Sequence, residues 1–509
     1  MNKLIKNISS ALLSKLIAVI GPFVIRTIII YKLGNEYVGL SSLFSSILQV
    51  LSLAELGIGS VLTFSMYKPV VERNDEKVMA LLAFYRTVYR LIGIIIITIA
   101  GIITPFIPKL INGSYPDDMN IYVLFWIYIA NTASSYLLFA YRSSILIAHQ
   151  RNNIVYMCET ITKSLMYILQ AVVLFTINNF YAYIIFLPVC TILNNVIVYI
   201  ISVKQYPEIV PKGKVEKSER KEIFKQIESL CVHRIAGVLI LSLDNIVIST
   251  FLGLNVLAQY SNYSYIVTAL NGFLDVALVS ITSIVGTNII KFSDEIKYKS
   301  FSKAAILTMS VVSICSICMF CLYQPFIKIW VGKDNLLSVF EMTCFCLYFY
   351  TYKFRAILMT YRDASGLWKQ DVWKSIIGLV INLIGNIVLI KIFGAVGVLI
   401  TTIIVMVFIF YPWETRVLFK YLFHRSPKEY IICTIKVSLI TVLTWFVSRI
   451  LMRAIVGDGI LLGCVRLVIS LLVYSVLFYI VFNNTEDIET VKTLIEAIGN
   501  KIVHKKSNF

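Results

Sequence analysis

Apolar residues follow one another in long runs along nearly the whole chain, separated by short polar segments. An α-helix needs about 20 such residues to cross a hydrocarbon core roughly 30 Å thick. The pattern therefore predicts an all-α, polytopic membrane protein with about 14 transmembrane helices. The predicted spans are 7–31, 37–67, 79–108, 119–147, 153–176, 180–203, 226–252, 256–290, 303–327, 337–361, 370–392, 395–415, 429–450 and 459–482.

The largest polar interruption divides the chain into two parts. It begins at Lys204 and holds two prolines, a glycine and many charges, which is typical of a linker. We predict an N-lobe of six helices at 1–203, a cytoplasmic linker at 204–225 and a C-lobe of six helices at 226–420. Two extra helices follow at 421–483, and 484–509 forms an amphipathic tail that lies on the inner leaflet or docks on the protein's own loops.

The two lobes also resemble each other at an almost constant offset. Lys15 corresponds to Arg234 and Leu33-Gly34 to Leu252-Gly253 at a shift of 219, while Tyr141-Arg142 corresponds to Tyr361-Arg362 at 220. Glu55 corresponds to Asp275 and Gln150 to Gln370 at the same shift of 220. We infer an internal duplication of parallel repeats and expect a substrate path where the two repeats meet.

Composition and charge agree with a membrane protein. The chain is 58% hydrophobic and 15% charged, with a formal net charge of +18. Of its 46 lysines and arginines, 29 fall on the side of the N-terminus, 7 on the opposite side and 10 within spans. The positive-inside rule then predicts that both termini are cytoplasmic, and it explains the net charge without a nucleic acid partner.

Ten basic residues lie inside stretches that are otherwise apolar enough to span. A cation at bilayer depth is costly unless it faces a partner, a water-filled cavity or a ligand, so they predict a polar interior that favours an anion. These residues are Lys15, Arg26, Arg86, Arg90, Lys163, Arg234, Lys353, Arg355, Lys436 and Arg466.

The first span carries the most informative pair. Lys15 and Arg26 are 11 residues apart, about three turns, and share a helical face. Gly21-Pro22 lies between them and should kink or loosen the helix. Snorkelling to the two membrane interfaces is the alternative role for these cations. In the later spans Arg234 is the equivalent of Lys15, and Arg355 is favoured over Lys353 for the interior.

The buried carboxylates leave two roles open. Asp244 either pairs with a basic residue of the other half or is a protonatable coupling site. Glu55 either neutralises Arg26 or Lys15 or couples to a cation. Lys163 lies four residues from Glu159 and is most simply an internal ion pair.

No catalytic constellation emerges from the sequence. Zinc-protease and Walker motifs are missing, only four histidines occur, and the predicted outer loops are short. The C-x-x-C-x-x-C spacing at Cys315, Cys318 and Cys321 has no accompanying histidine or carboxylate. We therefore predict no enzyme activity, no metal and no cofactor.

Three segments of the chain carry a family resemblance: residues 9–70, which contain LAELGIGS, and residues 241–253 and 260–267. In these segments the chain resembles polysaccharide-export flippases of the multidrug/oligosaccharidyl-lipid/polysaccharide exporter superfamily. The resemblance implies a two-lobed transporter of a bacterial cytoplasmic membrane that works by alternating access. The implied substrate is an undecaprenyl-pyrophosphate-linked oligosaccharide, moved to the outer leaflet. The implied partners are membrane lipids and a polysaccharide polymerase or glycosyltransferases, and the implied diphosphate contacts are Lys15, Arg26, Arg234 and Arg355.

Two other functions fit the same features. A multidrug or small-solute antiporter of the same superfamily would line its cavity with carboxylates if it exported cationic drugs, whereas bases outnumber acids in these spans. A non-transporting scaffold for a polysaccharide assembly complex would tolerate neutralisation of the interior charges.

Overall fold

The computed structural model describes residues 2–55, 57–454 and 459–483, and within them every regular element is a helix. The α-helices are α1 (Asn2–Lys32), α2 (Asn35–Leu51), α3 (Ile58–Val71), α4 (Asp75–Ile103), α5 (Ile121–Leu137), α6 (Ser143–Ala148), α7 (Asn152–Thr176), α8 (Phe180–Ile184), α9 (Phe186–Gln205), α10 (Lys217–Leu252), α11 (Leu254–Lys291), α12 (Asp294–Val331), α13 (Val339–Phe354), α14 (Ala356–Ala364), α15 (Val372–Phe393), α16 (Val396–Val405), α17 (Tyr411–Tyr421), α18 (Lys428–Ala454) and α19 (Ile460–Phe482).

Ten helical segments of the described part are long and apolar enough to cross a membrane, and an eleventh is a bent pair of helices. The all-α, multi-pass architecture predicted from the sequence is therefore confirmed. These eleven coincide with eleven of the 14 predicted spans. The other three predicted spans fall on α2 with α3, on α11 and on α13 with α14, so the count of 14 stays a prediction.

Several predicted spans are broken helices, which hydropathy did not reveal. Between α2 and α3 the chain forms a 3₁₀ turn over Ser52–Glu55, and Gly57 adopts a left-handed φ of 86° before α3 begins. The fourth span bends by 43° between Ile121–Leu137 and Ala140–Ala148. A π-helical segment, Met406–Phe410, joins α16 to α17. Such breaks expose backbone groups in apolar surroundings and are frequent at functional positions.

Two glycines that the repeat offset matches share a backbone conformation. Gly34 links α1 to α2 with φ 111° and ψ 175°, and Gly253 links α10 to α11 with φ 84° and ψ −179°. This conformation is accessible essentially to glycine alone, which explains why both positions carry that residue.

Equivalent residues of the two repeats also touch each other. The Asn255 side chain donates to Glu36 at 3.1 Å, and the Ser42 hydroxyl donates to Ser261 at 3.1 Å. Both pairs are separated by 219 residues, the offset found in the sequence. These contacts place α2 beside the start of α11, which are equivalent segments of the two predicted repeats.

The helices form two compact units. One contains Met1–Asn262 with Leu379–Val398, and the other contains Tyr263–Gly378 with the described residues from Leu399 onward. The lobe and linker boundaries given by the sequence remain predictions, and the predicted tail at 484–509 lies outside the described residues. In the second unit α18 and α19 pack on α12. The Ser448 hydroxyl bonds to Ser470 at 2.7 Å between those two helices.

Candidate functional site

Helix α1 carries the first two predicted site residues. It continues through Pro22 to its end, so the predicted kink is not a break in the helix. A side-chain carbon added at Gly21 would collide with the ring of Tyr167 in α7, and glycine therefore permits the close packing of α1 on α7. Lys15 is exposed and forms no ion pair within the described part of the chain.

Arg26 is half-buried and oriented by neutral groups from the start of α11. Its Nε donates to Asn262 Oδ1 at 2.6 Å, and its Nη2 donates to the Ser261 hydroxyl. Ser261 also accepts from Ser42, while its own hydroxyl proton goes to the Ala258 carbonyl at 3.0 Å. Two directed bonds of this kind fix the plane of a guanidinium group. Arg26 therefore lies beside the contact between the two repeats.

The other two predicted contacts have different outcomes. Arg234 lies in α10, and its side chain is outside the described set. Arg355 lies at the break between α13 and α14, where its side chain is 5% exposed. It binds Glu414 in a bidentate pair, with Nε to Oε2 at 3.0 Å and Nη2 to Oε1 at 2.5 Å. A buried carboxylate thus occupies its guanidinium in this structure, and the predicted contact between Arg355 and a diphosphate stays a prediction.

The Arg355–Glu414 pair belongs to a larger ionic network. Lys374 Nζ lies 2.6 Å from Glu414 Oε1 and 2.6 Å from Asp371 Oδ2. Arg362 in turn binds Asp371 and Asp363, the latter at 2.7 Å. The network contains three bases and three acids and is formally neutral. It joins the break after α13, the start of α15 and the helix that follows the π-helical segment.

Asp244 is 4% exposed in α10, yet its partner is uncharged. Its Oδ1 accepts from the Asn386 amide in α15 at 2.7 Å, and Asn386 also donates to Asn382. The contact that the structure describes for Asp244 is thus with a neutral amide, and pairing with a base stays a prediction. A buried carboxylate with an amide partner fits the other expectation, a site that binds a proton or a cation.

Glu55 also has partners other than those expected. Its Oε1 accepts from Tyr89 at 2.9 Å, and its Oε2 accepts from Tyr136 at 3.1 Å. Tyr85 extends the chain by donating to Tyr89 at 2.9 Å. Among the described residues, tyrosine hydroxyls and neither Arg26 nor Lys15 contact this carboxylate, and the expected neutralisation stays a prediction. The tyrosine hydroxyls hold the carboxylate at the 3₁₀ turn between α2 and α3.

The remaining basic residues mostly have structural roles. Lys163 pairs with Glu159 at 2.6 Å, as the sequence predicted. Lys353, which was not favoured for the interior, is 2% exposed and binds Asp275 at 2.5 Å. Arg466 is buried beside α12 and α18, whereas Lys436 is exposed.

Sequence reasoning missed Glu414 and Asp371. Both side chains have no exposed surface; they lie at the start of the predicted span 370–392 and at the end of the predicted span 395–415, and neither was assigned a role. The sequence contains one signal for Glu414, because this carboxylate follows only four residues after the apolar run that ends at Phe410. An acid so close to an apolar run needs a cation as its partner.

A family model described as polysaccharide biosynthesis protein matches residues 4–282. The lipid II flippase MurJ, in an inward closed conformation, superimposes with a TM-score of 0.68 at 16% identity, covering 94% of this chain and 99% of that one. No curated protein sequence matches the chain significantly.

Transporters of the MOP superfamily share the fold as well. An inward-facing MATE family multidrug resistance transporter gives a TM-score of 0.61 at 13% identity, covering 78% of this chain and 94% of its own. A transporter from Pyrococcus furiosus, whose reverse polarity of the binding pocket suggests a different function, gives 0.54 at 12% identity, covering 83% and 96%. At these identities the likeness establishes the fold.

Proposed function

Because the chain belongs to the polysaccharide biosynthesis protein family, we propose that it is a flippase for lipid-linked oligosaccharide repeat units. The substrate would be an oligosaccharide on undecaprenyl pyrophosphate, carried from the cytoplasmic to the outer leaflet of a bacterial cytoplasmic membrane by alternating access. A polymerase or glycosyltransferases would act on the same lipid-linked units. The fold shared with the lipid II flippase MurJ supports this proposal.

The observation that carries the proposal is the pair of cations on α1. Lys15 and Arg26 share one face of a helix that is long and apolar enough to span a membrane. A diphosphate cannot enter hydrocarbon bare, and lysine or arginine can replace its hydration with charge-assisted hydrogen bonds. We assign Lys15 and Arg26 to the diphosphate, with Arg234 as a third contact, and assign Arg355 to the ionic network.

The decisive experiment is deletion of the gene followed by leaflet-resolved measurement of the lipid-linked oligosaccharide. A flippase predicts accumulation on the inner leaflet and loss of surface polysaccharide, both restored by the intact chain. Unchanged lipid-linked sugar together with altered drug tolerance would refute the proposal in favour of an antiporter.

An antiporter is the second candidate, because a MATE family transporter shares the fold over 78% of this chain. The two functions differ in the charge of their substrates. Cationic drugs need acidic contacts, whereas α1 presents two bases and the acids Glu55 and Asp244 are held by neutral groups. The charge of α1 therefore favours an anionic substrate.

Asp244 provides a test of energy coupling. We propose that it binds the coupling proton or cation, and we expect Asp244→Asn to transport at the rate that the wild-type protein shows without a gradient. Asparagine keeps the size of the side chain and removes its charge. The measurement is flipping in proteoliposomes with an imposed pH, sodium or chloride gradient. Glu55→Gln is the parallel variant for the second carboxylate, because glutamine keeps the size of the glutamate side chain and removes its charge. Full gradient stimulation in Asp244→Asn would exclude the coupling role.

A further inference from the structure

A groove on the second unit runs between α17 and the segment just before α15. Its volume is about 430 Å³, and its walls include Gln370, Phe408, Pro412, Trp413, Arg416 and Lys420. All of these residues belong to one compact unit and are described. None of them is part of the proposed diphosphate site or of the ionic network.

The groove contains two cations that face the same way. Arg416 and Lys420 are four residues apart on α17 and both are exposed. Like charges at this spacing repel each other and destabilise an isolated helix. Neither forms an ion pair within the described residues, and no carboxylate lines the groove. An anion bound between them would remove this repulsion.

The rest of the groove is apolar and aromatic. The Phe408 side chain is 73% exposed and lies in a segment long and apolar enough to cross a membrane, so its ring is available to an acyl chain. The Trp413 indole donates to the Gln370 carbonyl at 3.2 Å and so joins the two sides of the groove. Tryptophan beside lysine or arginine is the pattern of a helix end at headgroup depth. The apolar end thus suits an acyl chain and the cationic end suits a headgroup.

The geometry of α17 is fixed from its other side. Glu414, on the buried face of this helix, binds Arg355 and Lys374 in the ionic network. The backbone positions of the two outward cations are therefore fixed before any ligand arrives, which lowers the entropic cost of binding.

Two other surface cavities contain glutamates beside their cations. A cavity of about 540 Å³ contains Lys212 and Lys214 but also three glutamates, and its Lys77 is paired with Glu219 at 3.0 Å. A third cavity near Arg425 contains Glu295 and Glu429. Their cations already have acidic neighbours, so charge complementarity to an anion singles out the groove on α17.

We propose that this groove binds the headgroup of an anionic glycerophospholipid, with Arg416 and Lys420 on the phosphate and Phe408 against an acyl chain. Basic pockets beside membrane helices are suited to such headgroups. The site is separate from the proposed diphosphate site on α1, and it would stand even if the transported substrate were different.

The test is native mass spectrometry of the full chain in detergent, titrated with phosphatidylglycerol or phosphatidylcholine. We expect one tightly bound phosphatidylglycerol on the wild-type protein. In Arg416→Gln/Lys420→Gln its affinity should fall roughly tenfold to thirtyfold, since each basic residue near an anionic headgroup contributes about 1 kcal/mol. Arg416→Lys/Lys420→Arg should keep the site, because both charges remain.

The matched control is Lys212→Gln/Lys214→Gln, which removes the same charge from a cavity that contains glutamates. Equal loss of phosphatidylglycerol in both double variants would indicate diffuse attraction and overturn the proposal. So would equal binding of phosphatidylcholine. A polyprenyl diphosphate that displaces the bound lipid from wild-type protein, and binds the groove variant as weakly as phosphatidylglycerol does, would assign the groove to the transported substrate instead.

Discussion

Replacing Glu414 by glutamine should lower the free energy of unfolding by about 3 to 5 kcal/mol. The Glu414 side chain has no exposed surface and contacts both Arg355 and Lys374, so glutamine leaves two buried cations with one carboxylate fewer. A buried charge that loses its partner keeps its desolvation cost without the compensating attraction. The measurement is reversible unfolding in mixed micelles titrated with a denaturing detergent.

Glu159→Gln is the control for this prediction. It removes the same charge from the Lys163 pair, whose side chains are 38% and 36% exposed, and should cost about 0.5 kcal/mol or less. The double variant Glu414→Gln/Arg355→Gln should be less destabilised than the sum of the single variants, because one acid and one base leave together. Additive losses would mean that the two side chains do not stabilise each other.

The helical architecture could be predicted because hydropathy integrates over about 20 residues, and one matched pair of glycines could be predicted from the repeat offset. Gly34 and Gly253 were matched by offset alone, and both adopt a backbone conformation that only glycine tolerates. The helix breaks could not be predicted in the same way. The apolar residues continue across the 3₁₀ turn at Ser52–Glu55 and across the π-helical segment, so a hydropathy window gives no signal there.

The charged partners could be predicted only where they are close in sequence. Lys163 and Glu159 are one turn apart and pair as expected. Arg355 and Glu414 are 59 residues apart, and their contact depends on how the break between α13 and α14 meets the helix that follows the π-helical segment. The count of lysines and arginines on the two sides of the membrane assigned Lys374 to a solvated flank of a span. Its side chain is only 3% exposed. A count of charge by topology cannot tell a solvated lysine from one that a carboxylate neutralises.

Neutralising Arg26 or Lys15 should stop most export while leaving the protein folded. One lost charge-assisted hydrogen bond to a diphosphate weakens binding by about 1.5 to 3 kcal/mol, or roughly tenfold to a hundredfold. We therefore expect Arg26→Gln and Lys15→Gln to accumulate lipid-linked oligosaccharide on the inner leaflet. The assay is leaflet-resolved lipid analysis at matched protein levels, with surface polysaccharide as a second readout.

Variants that keep the positive charge distinguish how Arg26 and Lys15 act. Arg26 uses Nε and Nη2 to bind Asn262 and Ser261, a geometry that a lysine ammonium cannot reproduce, so Arg26→Lys should remain impaired. Lys15 is exposed and acts as a point charge, so Lys15→Arg should export normally. Arg90→Gln, at an exposed arginine of α4, is the control and should also export normally. Normal export by Arg26→Gln and Lys15→Gln would remove the diphosphate role from α1 and favour a scaffold. Equal failure of Arg90→Gln would show that export depends on the positive charge of the membrane helices in general.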